Sequence, residues 1–359
     1  MKFVHIADVH LDAPFANLSE KEQFGITRRV DQRKILEDII NYINQNEVPY
    51  FFISGDLYEH KYIRQSTIEY INNLFKQIPN TKIFISPGNH DPFIKNSFYN
   101  NYIWNNNVTI FKGNLQKISL DDVNIYGYGF TDFYSPKVNF QNIELEKDKL
   151  NILVIHGSLY SSESADMQYN PISTKELQTL GFDYVALGHI HKRNFTEEAK
   201  NQRIIYPGST ISLGFDEMGS HGIIVGDITK EDIKLQFIEK DHIKFDEEKI
   251  DVTDINSEDE LIQIINNLKL NSNTFYKIIL IGKRNFEINI SKLKKTITNQ
   301  YILKIKDLTR NNYNIEKISK ETTLSGMFAQ ELLSQIKNDP LNEAYYNDIL
   351  EVGLEILNK

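Results

Sequence analysis

Phe3-Val4-His5-Ile6-Ala7-Asp8-Val9-His10 is the stretch that decides the fold: a short apolar run of strand character leads directly into an Asp-x-His pair of metal-ligand chemistry. The construction repeats. Tyr50-Phe51-Phe52-Ile53-Ser54 runs into Gly55-Asp56, and Ile83-Phe84-Ile85 runs into Pro87-Gly88-Asn89-His90-Asp91. Between the first two runs, residues 26–46 carry Val30, Leu36, Ile39, Ile40 and Ile43 at helical spacing. Between the second and third, Ile68, Ile71, Leu74, Phe75 and Ile78 do the same. Strand and helix alternating in this order predict a parallel sheet. Right-handed crossovers then bring the strand ends, each with its polar donors, to one edge of that sheet.

Further apolar runs at 108–111, 123–128, 152–155, 184–187, 203–206 and 222–227 read as strands, and two of them end in His156-Gly157 and Gly188-His189-Ile190-His191. Strands this dense predict a second sheet stacked on the first. Residues 131–149 and 158–175 read as surface loops over the site, where substrate is usually met. A lone His-Gly or Gly-Asp is more often a turn than a ligand. Here, however, five of the nine histidines fall in such motifs, together with Asp and Asn donors. Carboxylate, amide and imidazole donors suit borderline-hard divalent ions such as manganese, iron or zinc, and the chain has no cysteine for a softer site. His5, His60, His221 and His242 default to core or surface roles, His5 as a packed, hydrogen-bonded strand residue.

The order Asp-x-His, Gly-Asp, Gly-Asn-His-Asp, His-Gly and Gly-His-x-His resembles the signature of the calcineurin-like metallophosphoesterases. The wording around it is similar to the DNA-repair exonuclease branch, the SbcD and YhaO type related to the meiotic-recombination double-strand-break nuclease. The residues that carry this are His5-Ile6-Ala7-Asp8-Val9-His10-Leu11-Asp12, Gly55-Asp56-Leu57-Tyr58, Tyr184-Val185-Ala186-Leu187-Gly188-His189-Ile190-His191 and Tyr206-Pro207-Gly208-Ser209. The resemblance covers roughly residues 1–240. It implies a two-sheet β-sandwich flanked by helices, with a small α/β cap domain and C-terminal helices. It also implies two divalent ions, with Mn2+ foremost and Fe2+, Zn2+ or Mg2+ as the other choices. Asp8, His10 and His191 would hold one ion, Asn89, His156 and His189 the other, and Asp56 would bridge them.

His90 stands beside a ligand without being one, and the resemblance implies that it faces substrate as general acid or charge donor, with Asp91 holding its tautomer. The chain departs from the pattern at one position. Members of the branch often carry a histidine three residues after the bridging Asp, where this chain has Glu59, with His60 one step later. His60 is therefore a candidate for strand positioning, and Lys61, Arg64, Lys192 and Arg193 are candidates for contacts to flanking phosphates. Phe93, Phe98, Tyr99, Tyr102 and Trp104 read as the packing of a loop more readily than as a stacking platform for bases.

With 359 residues the chain exceeds what one core usually organises. We expect a phosphoesterase domain over 1–243, a small α/β cap domain over 244–311 and a helical segment over 312–359. The last segment carries apolar faces Leu324, Phe328, Leu332, Ile336 and Tyr346, Ile349, Leu350, Leu357 that predict a helical hairpin lying against another helix. Charged residues make up 25% of the chain, which excludes the disordered classes. A formal charge of −9 argues against non-specific wrapping of nucleic acid, although metal ions and a few local cations can grip a strand without a basic surface. No stretch approaches the ~20 apolar residues of a membrane span, and the start of the chain is too short for a signal segment. The expected setting is cytoplasmic, without membrane.

The expected activity is hydrolysis of DNA in repair or end processing, as an exonuclease and on this reading also an endonuclease. DNA, an SMC-like coiled-coil ATPase subunit and a second copy of the chain are the expected partners. Two rival classes stand beside it: a phosphoesterase for cyclic nucleotides or phosphomonoesters, and a non-catalytic scaffold, against which the intact donor set argues.

Overall fold

A computed structural model of the chain describes residues 1–15, 22–141, 143–160, 168–198 and 201–357. The chain forms two compact units, Met1–Lys244 and Phe245–Lys359. The first begins with β1 (Lys2–Ile6), α1 (Glu22–Gln45), β2 (Tyr50–Ile53), α2 (Gln65–Lys76), β3 (Lys82–Ile85) and, after a loop, β4 (Val108–Ile110). The four strands are parallel neighbours, with Phe3 opposite Tyr50, Ile53 opposite Ile85 and Ile85 opposite Ile110. Gly222–Ile228 adds antiparallel to β1, and Ile233–Glu239 pairs on its far side. A second sheet runs in the order Ile204–Ile205, Tyr184–Gly188, Leu150–His156, Val123–Tyr128 and Gln116–Ser119.

Side-chain alternation explains why the core strands read as unbroken apolar runs: both of their faces are buried. Phe3, Phe52 and Phe84 pack in one core with Ile125, Ile152, Val154 and Ala186 of the second sheet. On the other face of the first sheet, Val4, Ile6, Phe51, Ile53 and Ile85 meet the apolar sides of α1 and α2. Leu153, Ile155, Val185 and Leu187 turn the opposite way, onto Ile172, Leu177 and Phe182. Each such burial contributes on the order of 2 kcal/mol. The strands at Gln116–Ser119 and Ile233–Glu239 were not expected, because one is mostly polar and the other alternates apolar with polar residues along a half-exposed edge.

The start of α1 departs from its apolar period. Val30 and Ile26 are exposed, while Arg28 and Gln32 turn inward and are fully buried. Arg28 donates to both carboxylate oxygens of Asp241, at 3.2 and 2.6 Å, and to the Ser212 carbonyl. Gln32 donates to the carbonyls of Val9 and His10, at 3.0 and 2.7 Å. The helix thus fixes the loop that follows β1 through a polar contact that no hydrophobic pattern announces.

After the Gly-Asn-His-Asp motif, Tyr99 is buried, and Phe93, Phe98, Tyr102 and Trp104 pack on the same core, in line with loop packing. Within the expected loop 158–175, Leu159–Tyr160 and Ile172–Ser173 pair as two short parallel strands; residues 161–167, like 142 in the other loop, lie outside the described residues.

The second unit holds a three-stranded sheet of Lys244–Asp251, Thr274–Ile281 and Ile302–Asp307, packed by the helices Glu258–Asn266 and Ile290–Thr296 through Leu261, Ile265 and Leu293. Its last two long helices, Leu324–Asn338 and Glu343–Leu357, bury Ala329, Leu332, Leu350 and Leu354 in one cluster with Phe328, Tyr346 and Ile349. The faces expected to meet a foreign helix are therefore largely covered by the hairpin itself, with Ile315 and Ile318 beneath. Leu324 and Leu357 are the exceptions and stay exposed. Among the described residues no helix is long and apolar enough to cross a membrane.

Candidate metal centre

All the donor motifs sit just past strand ends, in one crevice of the first unit. Asp8 and His10 follow β1, Asp56 follows β2, and Asn89 and His90 follow β3. His156 ends one strand of the second sheet beside Gly188, its partner in register, from which His189 and His191 lead on. The turns are tight. Asp8, His10, Asp56 and His189 have φ of 51°, 49°, 52° and 102°, a region that costs a non-glycine residue on the order of 1–3 kcal/mol. Surrounding bonds hold them there: Asp8 N–H donates to Gly55 O at 3.1 Å, His90 N–H to Asp56 Oδ1 at 2.8 Å, and His189 N–H to Asp8 Oδ1 at 3.0 Å. The motif glycines are needed for space. A Cβ on Gly55 would lie 2.3 Å from His156 Nδ1, and one on Gly88 2.3 Å from Asp56 Oδ1.

Two groups of donors converge on Asp56. In the first, His10 Nε2 lies 3.1 Å from His191 Nε2 and 3.9 Å from Asp56 Oδ2, and His191 Nε2 lies 4.0 Å from Asp8 Oδ1. In the second, Asn89 Oδ1 lies 2.9 Å from His156 Nε2 and 3.2 Å from His189 Nδ1, with Asp56 Oδ2 3.4 Å from His156 Nε2. Asp8-His10-His191 and Asp8-Asp56-His156 each bring their donor atoms within 4.8 Å of one another, as does His10-Asp56-His90.

Hydrogen-bond roles show that the pocket fits cations. Glu59 Oε1 lies 2.8 Å from His10 Nδ1, and Glu217 Oε1 lies 2.5 Å from His191 Nδ1. Burial works against the charge on Glu59, yet His10 and His90 hold its pKa down to about 2, so it accepts only. Both Nδ1 atoms must donate, which leaves two Nε2 lone pairs facing each other at 3.1 Å. His156 repeats the arrangement: Nδ1 faces the Ser54 carbonyl at 2.8 Å, so its Nε2 lone pair faces the Asn89 carbonyl oxygen. Acceptor facing acceptor is repulsive unless a proton or a metal ion lies between them. Burial disfavours charge on His156 and His191, but Asp56 beside one and Glu217 beside the other push both pKa values up to about 9. The crevice demands positive charge, and a buried imidazole whose other nitrogen is fixed by a carboxylate or carbonyl is a common metal ligand.

His90 stands at the rim, with 45% of its side chain exposed, and Glu59 Oε2 takes its Nδ1 at 3.0 Å. Burial opposes its charge, while the Glu59 hydrogen bond and Asp56 raise its pKa to about 9; divalent ions alongside would act in the opposite direction. Glu59, at the position where the chain departs from the family pattern, therefore orients His10 and His90 with one carboxylate.

Asp91 was expected to hold the His90 ring, and the structure corrects this. Its carboxylate accepts the N–H groups of Asp56, Leu57 and Gly88 at 3.0, 2.7 and 2.7 Å and the Tyr99 hydroxyl at 2.7 Å. Four donors leave it the pin of the Asp56 turn, not the partner of His90. Glu217 and Gln32 were also missed: Glu217 lies in a loop without a motif and is fixed by Ser209 Oγ and Leu213 N.

The remaining candidates fall outside the donor groups. The His60 ring lies edge-on to Phe133, Lys61 Nζ lies 5.5 Å from the Tyr62 ring centre, and Lys192 is exposed. The Arg193 guanidinium stacks 3.8 Å from the Phe237 ring centre. Arg64 immediately precedes α2, at the edge of a cleft shared with Arg29 and Arg33. His5 bonds to Tyr184 and Ser54, each at 3.0 Å, and burial pushes its pKa down to about 3, so it is a neutral core residue.

Residues 1–193, more than half of the chain, match the family described as calcineurin-like phosphoesterase. A curated relative, the uncharacterized metallophosphoesterase YhaO of Bacillus subtilis (strain 168), is 26% identical over 276 residues, or 74% of this chain. The match spans 66% of that relative, just under two thirds of its length. Among solved structures, the crystal structure of TT1561 of Thermus thermophilus is similar at a TM-score of 0.37 and 9% identity, over 66% of this chain and 98% of that one.

Proposed function

The chain belongs to the calcineurin-like phosphoesterase family, metal-dependent hydrolases of phosphoesters, and on that premise we propose that it cleaves phosphodiester bonds of DNA with two divalent ions, manganese foremost. The observation that carries the reading is the pair of acceptor-rich clusters sharing Asp56, open on the side of His90. Asp8, His10 and His191 would hold one ion, Asn89, His156 and His189 the second, and Asp56 both. When bound, such ions supply charge stabilisation for the phosphoryl oxygens and a nucleophile at neutral pH.

The chain's own residues do the rest. Glu59 accepts from Nδ1 of His90 and so turns Nε2 toward the open side, where its proton can pass to the departing alkoxide oxygen. Asp91 keeps the Asp56 turn in its unfavourable conformation, and Glu217 keeps His191 facing inward. A polymeric substrate fits a rim residue this exposed. The similarity of the motif surroundings to DNA-repair exonucleases supports DNA as that polymer, and with it an intracellular setting. We further propose that the exposed residues of the C-terminal hairpin, Leu324, Met327, Leu341, Val352 and Ile356, dock a coiled-coil ATPase subunit.

One assay separates this from the small-substrate reading, to which the net charge of −9 lends some support. The purified chain with manganese is expected to shorten end-labelled DNA and to hydrolyse a chromogenic phosphodiester. Hydrolysis of the chromogenic substrate with DNA left untouched would favour cyclic nucleotides or phosphomonoesters.

A further inference from the structure

α1 is built to hold arginines over the loop of the metal centre. Arg28 and Gln32, one turn apart, point into the core, and Arg29 and Arg33, the next residues along, share the neighbouring face. That face lines a cleft of about 500 Å³ whose other walls are Asp12, Pro14, Tyr62, Arg64, Ser66 and Thr67.

Three guanidinium groups around one cleft stand out in a chain of net charge −9. Asp12, the one acid among the described residues that line the cleft, offsets only Arg33. It already accepts Arg33 Nη2 at 2.5 Å on one oxygen and Thr67 Oγ1 at 2.7 Å on the other. Arg33 is further fixed by the Arg29 carbonyl at 3.0 Å. Among the described residues Arg29 makes only a long bond to the Pro14 carbonyl, at 3.3 Å, and Arg64 is exposed with no ion pair. The cleft therefore has two cations to offer. α2 adds to the field, since its N-terminus opens here with no acidic residue in the first turn and no side-chain cap from Arg64.

The cleft and the metal centre are parts of one loop. Only Leu11 separates Asp12 from His10, so their Cα atoms lie within about 7 Å of each other. Asp12 itself has φ of 65°, an unfavourable conformation that Arg33 and Thr67 hold in place. Gln32 clamps the same loop through the carbonyls of Val9 and His10. A ligand in the cleft is thus held in fixed relation to the donors that follow β1.

We propose that the Arg29-Arg33-Arg64 cleft binds a backbone phosphate of the DNA strand next to the scissile bond, with Arg29 and Arg64 contacting the phosphate and Arg33 fixing the wall. The inference rests on the DNA reading above and makes the cleft its strand-positioning site. Lys61, Lys192 and Arg193, expected from their place beside motifs, are not among the residues that line it.

The test compares the full chain with an Arg29→Gln/Arg64→Gln double variant, using a short single-stranded oligonucleotide and bis(p-nitrophenyl) phosphate as substrates with manganese. A Lys2→Gln/Lys82→Gln variant controls for charge, because both lysines are exposed at strand starts, the opposite end of the sheet from the donors. For the cleft variant, KM for the oligonucleotide is expected to rise about tenfold or more, and the salt dependence of log(kcat/KM) to become shallower by about 1.4, the value for two lost contacts to a single strand. Loss on the small diester should be several-fold smaller, and the control variant should keep the wild-type salt slope. Equal losses on both substrates, or a slope matching the control, would overturn the cleft proposal while leaving the DNA reading intact. A wild-type chain that hydrolyses the small diester and ignores the oligonucleotide would instead overturn the DNA reading, and the cleft assignment with it.

Discussion

Replacing His90 by alanine is expected to lower turnover by about 100-fold or more while both metal ions stay bound, the scale seen when a general acid or transition-state donor is lost. The distinction matters because His90 also approaches His10 and Asp56 closely enough to complete a ligand group. A ligand would take metal with it; a proton donor would not. The Nδ1 bond to Glu59 and the exposure of the ring favour the donor role. Glu59→Gln provides the comparison. An amide oxygen can accept from one of the two imidazoles, but its NH2 cannot accept from the other, so either His10 or His90 loses its fixed orientation. Groups that orient ligands in this way typically contribute about 10–100-fold in activity or metal affinity. Turnover and metal content measured on the two variants separate the roles. Loss of a metal from His90→Ala would make His90 a ligand, and full activity of Glu59→Gln would remove Glu59 from the mechanism.

Asp56→Asn should abolish activity and weaken both metals together. Its Oδ2 is the oxygen within 3.9 Å of His10 and 3.4 Å of His156, one from each cluster, while Oδ1 receives His90 N–H. The aspartate is fully buried. Burial disfavours its charge, but His156 and His10 hold its pKa well below the usual carboxylate range. An amide keeps the shape and removes the negative charge that two cations would share. Metal analysis by plasma mass spectrometry should find both ions depleted; one retained at full occupancy would mean that Asp56 serves a single site.

The sheets were legible in the sequence because both faces of their central strands are buried, so that Phe51-Phe52-Ile53 and Ile152-Leu153-Val154-Ile155 appear as plain apolar runs ending in donors. The donors were legible for the same reason, as polar residues abruptly following such runs. What the sequence hid are contacts between residues far apart in the chain. Glu59 reaches back to His10, and Glu217 reaches His191 from a loop of ordinary composition. Asp91 was misread because its neighbour in sequence is His90, whereas its partners in space are the amides of the turn after β2. The first turns of α1 were misread because apolar period points Val30 inward, but Arg28 and Gln32 have buried partners that residues 212, 241, 9 and 10 supply. The hairpin's faces were recognised as apolar, yet periodicity alone could not say that they would close on each other.

Two cation sites that share Asp56 would be visible in anomalous diffraction from crystals of the chain grown with manganese. Two peaks are predicted, about 3.5–4 Å apart as in other two-metal hydrolytic centres: one against Asp8, His10 and His191, one against Asn89, His156 and His189, and both in contact with Asp56. A single peak, or a second one held by His90 with Asn89 and His189 free, would contradict the account.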